Sequence, residues 1–356
     1  MASLYITSPE TFSGKSALCV GLGKRFIQDG FRVGYMKPVS TSARRSGGVC
    51  IDEDAEFMKQ TFGLAEPATA LAPICLDPGD IEAVLRGEKG DFARQLQEAY
   101  ARAADEKDIM LLEGGSSLTE GFMLGLPPYE VSRLLGAKAL VVVKYSSAHI
   151  VDDILGAKAL LGDSMIGAVV NAVPRPRIEF VESTVLPFLE QQGIKVYAVL
   201  PQERILLSIS VRELAQVLGG EVLCCNEQLD ELVENLMVGA MSVDSALSYF
   251  RRKPNKAVIT GGDRPDIQLA ALETSTKVLI LTGNLHPSPI IMGRAEEVGV
   301  PVVLVRKDTL TTVEIIEQFF GKTRFHQPKK IQRFERLLET NLDFANLYAD
   351  LGVQKS

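Results

Sequence analysis

Ser8-Pro9-Glu10-Thr11-Phe12-Ser13-Gly14-Lys15-Ser16 closes the apolar run LYITS (4–8) and opens a segment, 15–29, whose apolar spacing predicts a helix. A loop at a strand–helix junction can turn several backbone N–H groups toward one anion at the helix N-terminus. In the pattern G-x-x-x-x-G-K-[ST] the lysine meets the outer phosphates and the hydroxyl ligates Mg²⁺. Gly14-Lys15-Ser16 supplies the second half of that pattern, whereas Pro9 stands where the first glycine belongs. Proline has no N–H and fixes its own φ, so the loop entrance must differ from the standard one. The plainer alternative is a chance tripeptide at the start of an ordinary helix. Lys24-Arg25, further along, reads as the solvated face of that helix.

Outward from the loop, apolar runs recur at 33–39, 109–115, 139–145, 165–173 and 194–201, with amphipathic segments at 91–105, 149–161 and 177–192. The runs are continuous rather than alternating, which predicts strands covered on both faces. The fold class is therefore α/β, a mostly parallel sheet flanked by helices. After 207–225 a polar stretch leads into a second β/α series, with strands at 256–260, 277–283 and 300–306. The expected division is a first domain over 1–225, a smaller α/β domain over 226–325 and a charged helical tail over 326–356.

Length and composition agree. The chain has 356 residues, 46% of them hydrophobic and 23% charged, which suits two ordinary domains. A net charge of −7 argues against a nucleic-acid partner, which needs a basic face. No apolar run approaches the ~18 residues of a membrane span, and the N-terminus lacks a signal pattern. The five cysteines form no C-x-x-C pair; no disulfide framework is expected, and a reducing cytoplasm is the expected setting. His149, His286 and His326 are scattered, His326 in a basic-flanked linker, so no zinc site is expected. The common hydrolase signatures are absent from the sequence.

SPETFSGKS (8–16), YMKPVST (35–41), DEDAEF (52–57), LLEGGSS (111–117) and VVNAV (169–173) together resemble dethiobiotin synthetase, in the same order and at similar spacing. That enzyme belongs to the SIMIBI-type P-loop group. The resemblance covers roughly 2–225 and extends to the synthetase-like N-terminal region of some phosphate acetyltransferases. It implies ATP and Mg²⁺ as cofactors, with Thr11, Gly14, Lys15 and Ser16 around the phosphates and Ser16, Asp54 and Glu113 on the metal. Lys15 and Lys37 would be the catalytic cations, and Asn171 would approach the base. Each has a plainer alternative: Lys37 as a solvated strand end, Asp54 as a first-turn acid, Asn171 as a turn residue before Pro174. Glu113, closing an apolar strand ahead of Gly114-Gly115, is harder to explain structurally.

Gly262-Asp263-Arg264 and Leu281-Thr282-Gly283-Asn284 give the second domain a resemblance to the DRTGG domain, over about 226–325. The turn before Pro265 could form an anion-binding nest with Arg264; the preferred alternative is a cap and an Asp–Arg pair that bind nothing.

Three functions stay open. The first is ATP-dependent phosphoryl transfer of the ligase or carboxylase type onto an unidentified second substrate, for which 121–135 occupies the expected region. The second is a nucleotide-dependent regulator acting on a protein partner. The third, phosphate acetyltransferase itself, is expected only in trans, because the sequence stops at Ser356 after the second domain and tail. A homodimer is the expected assembly.

Overall fold

Ala2–Thr7 forms β1, every residue of which but the first is buried. The five later apolar runs become β2 (Val33–Met36), β3 (Ile109–Glu113), β4 (Lys138–Lys144), β5 (Met165–Val173) and β6 (Val196–Pro201). This computed structural model describes residues 1–41, 43–46, 49–88, 90–320 and 325–355. The six strands make one sheet in the order β6-β5-β4-β1-β3-β2, parallel throughout. Leu4, Ile6, Leu111 and Leu140 are fully buried, as strands with covered faces require. After β3 the chain crosses from one side of β1 to the other, so β1 stands where the winding reverses. In open parallel sheets the crevice at such a point, beyond the strand carboxyl ends, is where ligands bind. The expectation of a mostly parallel, helix-flanked sheet holds.

Two helices flank this crevice with polar residues at their starts. α1 (Lys15–Gln28) starts at Gly14, whose φ of 105° is left-handed, and no side chain caps it. α2 (Glu53–Phe62) is capped by Asp52, whose carboxylate accepts from the Ala55 N–H at 2.9 Å. The tail contributes α3 (Pro328–Asn341) and α4 (Phe344–Leu351). Phe334 and Leu338 of α3 lie so close to Gly21 that a Cβ there would collide with Leu338. A glycine inside a helix costs roughly 0.5–1 kcal/mol relative to alanine; here it admits a neighbouring helix. An ion pair joins Lys24 to Glu335, so Lys24 is not simply a solvated residue. Asp343 N–H donates to the Tyr197 carbonyl at 2.9 Å. Tyr348 packs among Phe26, Phe31 and Phe344 and donates to Asp29.

The chain divides into two compact units, Met1–Gln202 with Phe325–Ser356, and Glu203–Arg324. The helical tail, 325–356, thus groups with the first unit. Residues 203–225 group by packing with the second unit. Their apolar side chains Ile209, Val211, Leu214 and Leu218 pack with Ala257, Ile259 and Ile280. Short strands at Ile209–Ser210 and Glu221–Val222 also pair antiparallel with Leu232–Val233 and Val302–Leu304. The second unit is built on β7 (Asn235–Val238), β8 (Lys256–Gly261), β9 (Thr276–Thr282) and β10 (Val302–Leu304). These are parallel in the order β10-β9-β8-β7.

The cysteines correct one expectation: Cys50 and Cys75 are joined as a disulfide, leaving Cys19, Cys224 and Cys225 free. The pair is 25 residues apart in sequence, without a spacing signature, and only the folded chain brings it together. Among the described residues no helix is long and apolar enough to cross a membrane.

Candidate functional site

The loop after β1 is held by its own backbone. Ser8 Oγ donates to the Glu10 carbonyl at 2.9 Å and accepts from the Glu10 N–H at 3.1 Å. The Glu10 carboxylate accepts from the Lys144 N–H at 3.0 Å, tying the loop to the end of β4. Phe12 adopts a φ of 54° while half its surface is exposed. A bulky residue in the left-handed region costs energy and persists where its surroundings dictate the conformation. Thr11 is exposed beside it. Thr7 Oγ1 and Ser13 Oγ are buried without a hydrogen-bond partner, an expensive arrangement unless something else satisfies them.

Asn171, near the end of β5, braces the loop from below. Its Nδ2 donates to the Ser13 carbonyl at 2.7 Å and its Oδ1 accepts from the Ala172 N–H at 2.8 Å. A side chain at position 14 would strike this amide, so Gly14 is needed both for its φ and for the close approach. Lys15 is 8% exposed and its Nζ donates to the Glu10 carbonyl at 3.0 Å. Burial pushes the lysine below its usual range, against the opposing pull of Glu113 and other neighbours.

Glu113, at the carboxyl end of β3, is nearly fully buried. Ser16 Oγ donates to its Oε1 at 2.6 Å, and Tyr35 Oη donates to its Oε2 at 2.7 Å. The register that pairs Ile6 with Glu113 sets this carboxylate beside the start of the loop. Burial, helped by the nearby Asp54 charge, raises its pKa despite Lys37, Ser16 and Tyr35. Lys37 follows β2 directly and is 6% exposed. Its ammonium lies 2.7 Å from Asp54 Oδ2 and 2.9 Å from Asp52 Oδ2. Burial alone would lower the lysine pKa, but Glu113, Asp52 and Asp54 together hold it above its usual range. Burial likewise opposes ionisation of Asp54, and His326 and Lys37 overcome it, leaving the carboxyl well below the usual range.

The structure thus brings Lys15, Ser16, Lys37, Asp54 and Glu113 together at the carboxyl edge of β1, β2 and β3. Thr11 lies on the loop itself and Asn171 against it. Sequence reading missed four participants. Asp52 serves as both cap and second anion for Lys37, and Ser40 Oγ donates to it at 2.5 Å. Tyr35 sits in an apolar run and signals only core. Glu120 accepts from the backbone and hydroxyl of Ser116 and from Thr41 Oγ1 at 2.8 Å. His326 stacks on Phe57 with ring centroids 4.0 Å apart; its distance in sequence gave no signal.

The donor set suits Mg²⁺. A serine hydroxyl and one or two carboxylates are hard oxygen ligands, and Mg²⁺ takes its remaining partners from phosphate and water. Among the described residues no three His, Cys, Asp or Glu side chains form a preformed metal cage, and a cation shared with phosphates requires none. Three carboxylates, Asp52, Asp54 and Glu113, against two lysines leave negative charge for a divalent cation to offset.

Residues 2–234 match the AAA domain and residues 213–319 the DRTGG domain. The phosphate acetyltransferase of Nitratidesulfovibrio vulgaris is 26% identical over 380 residues, covering 99% of this chain and 52% of that protein. The chain spans about half the length of the curated relatives it matches in full. The ATP-dependent dethiobiotin synthetase of Caldicellulosiruptor saccharolyticus is 26% identical over 120 residues, 33% of this chain and 49% of that protein. Among solved structures, cobyrinic acid a,c-diamide synthase from Mycobacterium smegmatis, crystallised with ADP and magnesium, aligns at a TM-score of 0.38 and 14% identity. That alignment covers 57% of this chain and 88% of that one. The chain belongs to the AAA domain family, its P-loop unit matched over residues 2–234 and accompanied by a DRTGG domain.

Proposed function

We propose that the first unit binds ATP with Mg²⁺ and directs the γ-phosphoryl group toward a second substrate, in the manner of the dethiobiotin synthetase it resembles. The observation that carries this reading is the convergence of two buried lysines, a serine hydroxyl and two buried or half-buried carboxylates at the mouth of one loop. Lys15 and Ser16 would hold the outer phosphates and the metal, and Asp54 and Glu113 would orient the cation. Bound there, Mg²⁺ supplies charge neutralisation of the phosphates. Lys37, held cationic by its three acids, stays charged at any working pH and is suited to stabilise charge on a transferring phosphoryl group. Glu113 and Asp54 retain their places through Ser16, Tyr35 and Lys37, so the site is preorganised.

Calorimetric titration with ATP and Mg²⁺ tests this. Lys15→Ala should weaken binding about 10- to 100-fold, the worth of a charge-assisted hydrogen bond to phosphate. Equal affinity in wild type and variant sinks the assignment. ADP release in the presence of candidate amines and bicarbonate then tests transfer.

A second reading has its own support: the match to phosphate acetyltransferases runs through nearly the whole chain, while reaching only half of theirs. On that reading nucleotide binding regulates an acetyltransferase activity, in a homodimer or with a partner. It gains if nucleotide binds and no candidate acceptor stimulates ADP release. The DRTGG unit would then be the output side of the switch.

A further inference from the structure

We propose that His326 is a positioning residue for Asp54, so that the nucleotide site of the first unit is completed by chain that returns only after the second unit. The inference rests on the Mg-ATP reading above. Asp54 and Phe57 stand three residues apart on α2 and therefore share a face of that helix. The His326 ring lies over Phe57 at 4.0 Å and an interplanar angle of 21°. Its Nε2 is 3.9 Å from Asp54 Oδ1, and both side chains are about 30% exposed. Asp54 Oδ2, the other oxygen, is the one engaged by Lys37 at 2.7 Å. The carboxylate is consequently faced from both sides, by a lysine delivered from β2 and an imidazole delivered from the tail.

The imidazole is itself fixed. Phe325, next to it, meets Phe334 of α3 edge-on at 5.4 Å. α3 in turn lies against α1 through Leu338 and Gly21 and through Lys24 and Glu335. α1 carries Lys15 and Ser16 at its start. The tail thus leans on the helix that begins at the phosphate loop and reaches the helix that carries Asp54. A packing role alone would need the stacked ring but not the nitrogen turned toward Oδ1.

The two contributions are separable by substitution in the full chain. His326→Phe keeps a ring over Phe57 and removes the nitrogen; His326→Ala removes both; Asp350→Asn perturbs the tail far from Asp54. For each, ATP affinity is measured by calorimetry with Mg²⁺ and again with EDTA. The expected result is an affinity with Mg²⁺ about three- to tenfold weaker in both His326 variants, with EDTA values within about twofold of wild type. Asp350→Asn should keep the wild-type ratio of the two affinities. Hydrogen exchange at the 53–57 amides should quicken in His326→Ala. If wild type binds Mg-ATP and both His326 variants keep its Mg²⁺ dependence, this inference is overturned and the nucleotide reading stands. If wild type fails to bind Mg-ATP, the nucleotide reading falls and takes the inference with it.

Discussion

Glu113 shows how differently two partners of one carboxylate announce themselves. Its own position, an acid ending an apolar strand, stands out in the sequence, and Ser16 is legible from the Gly-Lys-Ser pattern. Tyr35 is not, because a phenol in a buried strand looks like any other aromatic until its hydroxyl is located. It is fully buried and donates to Glu113 at 2.7 Å across 78 residues of sequence. Tyr35→Phe should keep the core packing and leave one buried carboxylate oxygen without its donor. The expected destabilisation is about 1.5–3 kcal/mol, the range for hydrogen bonds to charged groups. Urea denaturation of wild type and variant measures it, and a change under about 0.5 kcal/mol would mean that the Tyr35 hydroxyl contributes no net stability at Glu113. His326 and Glu120 are illegible for the same reason: their partners are set by the fold, not by local spacing.

At the scale of elements, the strands and the motifs at their ends were readable, whereas the destination of the final helices was not. A charged amphipathic pattern tells that a helix has one apolar face but not which distant face it covers. Here Asp29, just past α1, supplies part of the answer. Its carboxylate accepts from Tyr348, and Arg25 and Lys355 pair with it. Burial works against ionisation, yet these three partners bring its pKa down from 3.8 to about 2. A depressed folded-state value means that the contribution is present in full above 3.8 and lost as pH falls through about 2. Chemical denaturation at a series of pH values should therefore show wild type losing stability over that window. Asp29→Asn should flatten this part of the profile; identical profiles would show that Asp29 does not anchor α4. The Cys50–Cys75 bond was likewise hidden, because two cysteines 25 residues apart carry no spacing signature.

For the molecule as a whole, composition gave two domains and the motifs gave their kinds; the packing units part after Gln202, whereas the family match to the first domain runs to residue 234. Apolar residues at 207–218 look alike whichever core receives them, and only packing assigns them. The same holds for 325–356, whose buried Phe334, Leu337, Leu338, Leu347, Tyr348 and Leu351 belong to the first unit. Each such side chain contributes about 1.5–3 kcal/mol when buried, so their sum is comparable to the stability of an entire domain. Deleting 325–356 should abolish the cooperative unfolding transition of the first unit in scanning calorimetry. Retention of that transition at its wild-type temperature would mean that the tail covers no essential part of the core.

The return of the chain to its first unit also sets a timetable for synthesis. Domains tend to fold as they emerge, the N-terminal one first. Here residues 1–202 leave the ribosome with the face of α1 around Gly21 still uncovered, and the whole of 203–324 must emerge before α3 arrives to cover it. The first unit is completed only after the second has emerged, and until then its phosphate loop stands on a helix that lacks its cover.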